Sequence, residues 1–127
     1  MNISFKGGDV ATLKELIDYE EKTVAKREIL SNDAMKLILM AFDGSEKLSP
    51  HRAPADAVLT VLEGEAKVNY EGEDHELKAG DIIYFEEGGL HSVEAQGQMK
   101  WPLCSWRKEQ VKNPCQKEES LVYYLLL

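Results

Sequence analysis

Three imidazoles, two thiols and a handful of carboxylates are the groups in this 127-residue chain whose types can do chemistry. Histidine titrates near neutral pH, so a histidine in a pocket can act as acid or base, hydrogen-bond a ligand, or bind a transition metal. His75 lies in Glu73-Asp74-His75-Glu76, a polar hairpin arm where a solvated imidazole is the plain expectation. His51 and His91 sit on separate segments. Two imidazoles from different strands can hold a metal, yet structural and catalytic sites normally use three or four donors. A third would come from a carboxylate such as Asp56 or a thiol such as Cys104. The structural alternatives are that Asp56 braces the loop carrying His51 or faces a neighbouring strand, and that Cys104 is a buried inert thiol. Asp81, directly after Gly80, reads as turn chemistry, because Asp side chains cap their own backbone at such corners. Tyr84 either points into a pocket or fills the core. Glu86-Glu87-Gly88-Gly89 is either a rim over that pocket or a solvated turn.

These residues have to be positioned by short strands. From Thr23 onward, brief apolar segments are broken by Gly, Pro, Asp and Asn, the pattern of a β-sandwich or barrel. Eight strands are predicted at Thr23–Leu30, Met35–Phe42, Ala57–Glu63, Glu65–Tyr70, His75–Leu77, Ile82–Phe85, His91–Ala95 and Met99–Trp106. The corners between them, among them Asp43-Gly44, Glu63-Gly64, Glu71-Gly72 and Ala79-Gly80-Asp81, carry residues that accept positive φ or cap locally. In Val58-Leu59-Thr60-Val61-Leu62 only Thr60 is polar, as expected of a strand packed on both faces; Glu65 to Tyr70 alternates, as expected of a half-exposed one. Ahead of the strands, Val10, Leu13, Leu16 and Ile17 have helical spacing over Val10–Glu21. Thr12 with Glu15 forms a potential capping box there.

Composition narrows the function classes. Fifteen Lys and Arg against 23 Asp and Glu give a net charge of −8, a surface that repels phosphate backbones and acidic lipid, which argues against a nucleic-acid or membrane role. No apolar run approaches the roughly 18 residues of a membrane helix. The first residues, Met1 to Gly8, lack the basic-then-apolar plan of a secretory signal, so the expected compartment is cytoplasmic, and Cys104 and Cys115 are expected to be free thiols.

The stretch from His51-Arg52-Ala53-Pro54-Ala55-Asp56-Ala57 to Val61-Leu62-Glu63-Gly64 resembles the first motif of the cupin superfamily, G-x5-H-x-H-x3,4-E-x6-G. Gly80-Asp81-Ile82-Ile83-Tyr84-Phe85-Glu86-Glu87-Gly88-Gly89-Leu90-His91 resembles the second, G-x5-P-x-G-x2-H-x3-N. The resemblance covers about residues 24–100 and extends to small single-domain bacterial cupins. It implies an all-β fold, a double-stranded β-helix or jelly-roll barrel closed around a pocket, here preceded by the short helix. The division it suggests is an N-terminal arm and helix at 1–22, the barrel at 23–107 and an atypical tail at 108–127. Because a jelly roll leaves edge strands that need covering, a homodimer is expected, with the strand at Thr23–Leu30 contributing.

A full cupin site supplies three His and one Glu to a divalent metal such as Fe, Mn, Ni, Cu or Zn. Here His51 and His91 match the first and last His, while Ala53 stands at the second His position and Ala57 at the Glu position. Asp56 is one register off, which in a strand turns its side chain to the opposite face. The interval from Gly44 to His51 is one residue longer than usual, and Glu86 replaces the Pro of the second motif. Three readings stand at this point. His51, His91 and a substitute carboxylate or thiol form a metal site of an oxygenase, isomerase or decarboxylase. Alternatively, His51 and His91, with Tyr84, line a metal-free pocket for a small molecule such as an organic acid or a sugar-like ligand. In the third reading, the imidazoles only satisfy local hydrogen bonds.

The carboxyl end departs from the resemblance. Pro102 would remove a ladder hydrogen bond from the last strand, which is tolerated at an edge or bulge. Beyond it come a polar stretch and the apolar Leu121-Val122-Tyr123-Tyr124-Leu125-Leu126-Leu127, which as a native extension would dock on the barrel or on another subunit. The alternative is a shifted reading frame, since Lys-Trp-Pro-Leu-Cys is compatible with codons that encode Lys-Met-Ala-Leu-Val one base away.

Overall fold

Short apolar runs separated by Gly and Asx corners fold into nine antiparallel strands in a computed structural model that describes residues 5–108. They are β1 (Val24–Ser31), β2 (Met35–Phe42), β3 (Lys47–Arg52), β4 (Asp56–Thr60), β5 (Glu65–Tyr70), β6 (Glu73–Lys78), β7 (Ile82–Phe85), β8 (Leu90–Ala95) and β9 (Met99–Trp106). Two sheets face each other, one in the order β1-β2-β9-β4-β7 and the other β3-β8-β5-β6. Eight strands match the sequence expectation closely. The ninth, β3, is missed because it is an edge strand, largely exposed, whose Lys-Leu-Ser-Pro-His-Arg sequence carries no alternating apolar signal. β4 pairs on both sides and is mostly buried, whereas β5 alternates exposed and buried residues over its first four positions, as the two patterns predict.

The five-stranded sheet is covered on both faces along β2, for different reasons. Its inner face meets the other sheet in a core that includes Phe42, Leu59, Val61, Val68, Met99 and Trp101. Its outer face, through Ala25, Ile29, Leu39 and Ala41, is covered by the N-terminal segment carrying Leu13, Leu16, Ile17 and Tyr19. That segment is not the helix expected over Val10–Glu21. Only Leu13–Glu15 forms a 3₁₀ turn, and Thr12 makes no side-chain cap. The carbonyls an α-helix would use are taken from outside it: Lys100 Nζ donates to Lys14 O at 2.9 Å, and Arg27 Nη1 donates to Leu16 O. Apolar side chains that would make one stripe of a helix instead spread over the sheet, where tertiary burial outweighs a weak helical preference.

Pro102 is also placed against expectation. β9 is a central strand, between β2 and β4, and Pro102 lies opposite Leu39 of β2. Its missing donor is harmless because it faces a gap. Lys100 N and O bond toward Glu63 and Leu62 on the β4 side, so by alternation Pro102 N points the same way. The β4–β9 ladder there stops at Leu59 and Leu103. At the next corner Gly64 has φ +82°, and a Cβ on it would sit 2.1 Å from Gln98 O, so this turn admits only glycine.

Candidate functional site

The extra residue between Gly44 and His51 is absorbed by a bulge in β3, which keeps His51 aimed inward. Along β3 the pairing with β8 runs Leu48 to Val93 and then, after a register shift, His51 to His91, so three steps on one strand match two on the other. Regular alternation would put Leu48 and His51 on opposite faces; the bulge puts both on the inner face. His91 reaches the same face from β8 without a bulge, alternating with exposed Leu90 and in phase with buried Val93.

The two rings meet edge to face with centroids 4.2 Å apart, and His91 stacks on Phe85 at 4.1 Å and 13°. Each Nδ1 lies against a carbonyl two residues earlier: His51 Nδ1 donates to Ser49 O at 2.9 Å, and His91 Nδ1 donates to Gly89 O at 3.1 Å. A carbonyl only accepts, so both neutral rings carry their proton on Nδ1, leaving Nε2 with its lone pair free to accept a hydrogen bond, take a proton or bind a metal. His91 is buried, and that burial pushes its pKa below the usual histidine value; the bond to Gly89 O works the other way, and the neighbouring His51 adds to the lowering. Near neutral pH the neutral ring dominates at His91.

Gly89 connects the two motif segments. Its carbonyl also accepts from Ala53 N at 2.9 Å, while Ala53 O accepts from Gly88 N at 2.8 Å. A Cβ at Gly89 would lie 2.5 Å from the Tyr70 ring, which stacks on Phe85, the support of His91. Glycine is needed here for close approach.

A cavity of about 420 Å³ opens beside the pair, walled by Ile38, Ala57, Phe85, Leu103 and Ser105, and a second space of about 260 Å³ shares Ile38, His51, Phe85, His91 and Leu103 with it. Ala53 and Ala57, at the two positions where a metal-binding cupin would carry His and Glu, are buried and line the larger space with methyl groups. Among the described residues no group of three or more His, Cys, Asp and Glu converges. The donor set is therefore two imidazoles and two methyls, which does not fit the three-His-one-Glu metal centre.

The remaining candidates are placed elsewhere. Asp56 is buried but faces away from the cavity, where its Oδ1 accepts from Glu87 N at 2.8 Å and lies 3.8 Å from Lys108 Nζ. It braces the β7–β8 loop, not the segment of His51. Tyr84 does not line the cavity: it alternates with inward Phe85, stays 46% exposed on the outer face and stacks on Trp106 with ring planes 5° apart. Cys104 likewise alternates with cavity-lining Leu103 and pairs outward with Leu37. His75 is exposed on the edge strand β6, and Asp81 caps its turn by accepting from Lys78 N at 2.9 Å. Cys115 and the apolar tail lie outside the described residues. Two contributors escape the sequence reading, Phe85 and Lys26. Phe85 adjoins Tyr84 in a predicted strand, and only the sheet's facing decides between them. Lys26 lines the smaller space from β1, where the apolar neighbours Ala25 and Ile29 face the outer layer.

The fold matches solved structures closely. A conserved protein of unknown function from Streptococcus pyogenes superposes with a TM-score of 0.75 at 20% identity, covering 86% of this chain and 96% of that one. A cupin superfamily protein from Desulfitobacterium hafniense gives 0.76 at 18%, covering 85% and 99%. A cupin 2 conserved barrel domain protein from Leptotrichia buccalis gives 0.71 at 30%, covering 75% of this chain but 46% of that longer one. No curated protein matches the sequence at a significant level. The Cupin_2 family model, described as a cupin domain, matches residues 38–106, more than half of the sequence and the part that carries both imidazoles, and the chain belongs to that family.

Proposed function

We propose that this chain is a small-molecule-binding cupin of the cytoplasm, whose pocket takes an organic ligand between the imidazoles of His51 and His91 and the apolar walls of both sheets. The observation that carries the reading is the locked imidazole pair. Both Nδ1 atoms are committed to backbone carbonyls, so both Nε2 atoms are left as acceptors beside one apolar space. Pockets of this kind, mostly apolar with a few fixed polar groups, are the usual form of small-molecule sites. The imidazoles accept from a ligand O–H or N–H, and either can take up a proton at Nε2. Tyr84, on the outer face, has no part in this reading. Pairing of two copies is proposed at β1, which among the described residues has a strand partner on one side only.

The test combines elemental analysis of protein grown with Fe, Mn, Ni, Cu and Zn with binding of small organic acids to wild type, His51→Ala and His91→Ala. The expected result is no stoichiometric metal and ligand binding lost in both variants. Near-stoichiometric metal that disappears in both variants would overturn the metal-free reading in favour of a metal-dependent enzyme with donors recruited from elsewhere. Binding unchanged in both variants would remove the imidazoles from the site.

A further inference from the structure

The walls of this cavity are apolar, but its charged lining is basic on a protein that is acidic as a whole. Lys26 of β1 lies opposite Met40 of β2, so its side chain shares the inner face, and it lines the smaller space with His51 and His91. Lys36 and Arg107 line the wider space together with a single carboxylate, Asp33. Lys36 is 3.8 Å from Glu28, whereas Lys26 is within 4.0 Å of no carboxylate among the described residues. The chain carries −8 in total, so Lys26, Lys36 and Arg107 against Asp33 and Glu28 leave a local excess of one positive charge around the two spaces. Such an excess beside low-dielectric walls focuses potential and concentrates small anions. The imidazole pair makes the opposite demand. Neutral Nε2 atoms accept hydrogen bonds, repel a bare carboxylate and match a hydroxyl donor.

We infer that the ligand of this pocket is a small hydroxylated carboxylate, its carboxylate paired with Lys26, its hydroxyl donating to Nε2 of the His51–His91 pair, and its apolar body against Phe85, Ile38 and Leu103. The inference rests on the pocket reading above and names the ligand class for it. A polyphosphate or nucleotide is disfavoured because the cavity is apolar beyond its mouth. A neutral sugar would leave Lys26 without a counter-charge.

Three probes separate the two contacts: 4-hydroxybenzoate has both groups, 4-hydroxybenzamide lacks the charge, and benzoate lacks the hydroxyl. Binding is followed by the imidazole Cε1–H NMR signals of His51 and His91 in the full-length protein. 4-Hydroxybenzoate should bind about tenfold more tightly than either analogue, the size of one charge-assisted or well-placed hydrogen bond. Lys26→Met should erase its advantage over the amide, and Lys26→Glu should reverse it. Because Lys26 is exposed on an edge strand, both variants should keep the wild-type urea midpoint. Raising salt from about 20 to about 300 mM should weaken acid binding in wild type and weaken it less in Lys26→Met, where Lys36 and Arg107 remain. Equal affinity for acid and amide, or a preference that survives Lys26→Met, overturns the anion assignment while the pocket reading stands. No shift of either imidazole signal with any of the three probes at millimolar concentration overturns both.

Discussion

The two ends of the barrel interior are built from the same strands and have opposite contents. Where β2 ends and β9 begins, Phe42, Met99 and Trp101 fill the space between the sheets, with Phe42 and Trp101 packed edge to face at 5.2 Å and Trp101 Nε1 donating to Met40 Sδ at 3.2 Å. Where β2 begins and β9 ends, the inward positions hold Ala57, Ser105, Ala53 and the two imidazoles, and the space stays open. Backbone geometry is shared, so side-chain volume alone decides which end is core and which is pocket. Ala53 and Ala57, at the two positions where the first cupin motif carries His and Glu, leave the open end wider than those larger side chains would.

That contrast is broken most sharply by truncating one large side chain at each end. Trp101→Ala should cost about 3–5 kcal/mol in urea unfolding, because it empties a packed site. Leu103→Ala, two residues along the same strand and lining both spaces where Trp101 borders only the smaller one, should cost about 2 kcal/mol or less, since its neighbours already border open space. Equal losses would mean that the pocket end is as tightly packed as the core.

Filling the same two ends sharpens it further. Ala66→Leu in the packed end should destabilise by about 1–3 kcal/mol through overpacking. Ala57→Leu at the open end should stay within about 1 kcal/mol of wild type while abolishing ligand binding, read by urea midpoint and by titration of the histidine signals. A large stability loss at Ala57 would show that the cavity cannot take a bulkier side chain.

The smallest expected effect is in pH. Burial favours the neutral form of His91 in the folded protein, so its folded pKa lies below the unfolded value of 6.5. Between those two values the unfolded chain binds more protons, and stability therefore falls as pH drops below about 6.5, levelling off once pH passes under the folded value. His91→Asn should flatten the change in urea midpoint between about pH 7.5 and pH 5.5 relative to wild type. An identical slope in the variant would assign the effect to other groups.

Much of the fold was legible because most strands announce themselves by short apolar runs between glycine or Asx corners. What was not legible has local causes. The N-terminal segment has helical spacing, but Lys100 and Arg27, far along the sequence, take its carbonyls. β3 is exposed along most of its length and so lacks a periodic signal. Pro102 is central because the ladder beside it has already ended, a fact of register that composition does not contain. At the site, His51 and His91 were visible as residue types. The choice between Tyr84 and Phe85, and the inward turn of Lys26, depended on which face of a doubly covered sheet looks into the barrel.

The bulge before His51 lets β3 carry one residue more than regular pairing allows without turning this imidazole away from the cavity. Removing one residue from Ser49-Pro50 would restore regular pairing with β8, two steps against two, and leave the imidazole on the inner face in phase with Leu48. Because β3 is an edge strand with one neighbour, such an insertion or deletion disturbs a single ladder and leaves the rest of the barrel in register. Divergence within this fold can therefore gain or lose one codon ahead of the imidazole while its facing is kept, a change that position-by-position comparison of residue types would not reveal.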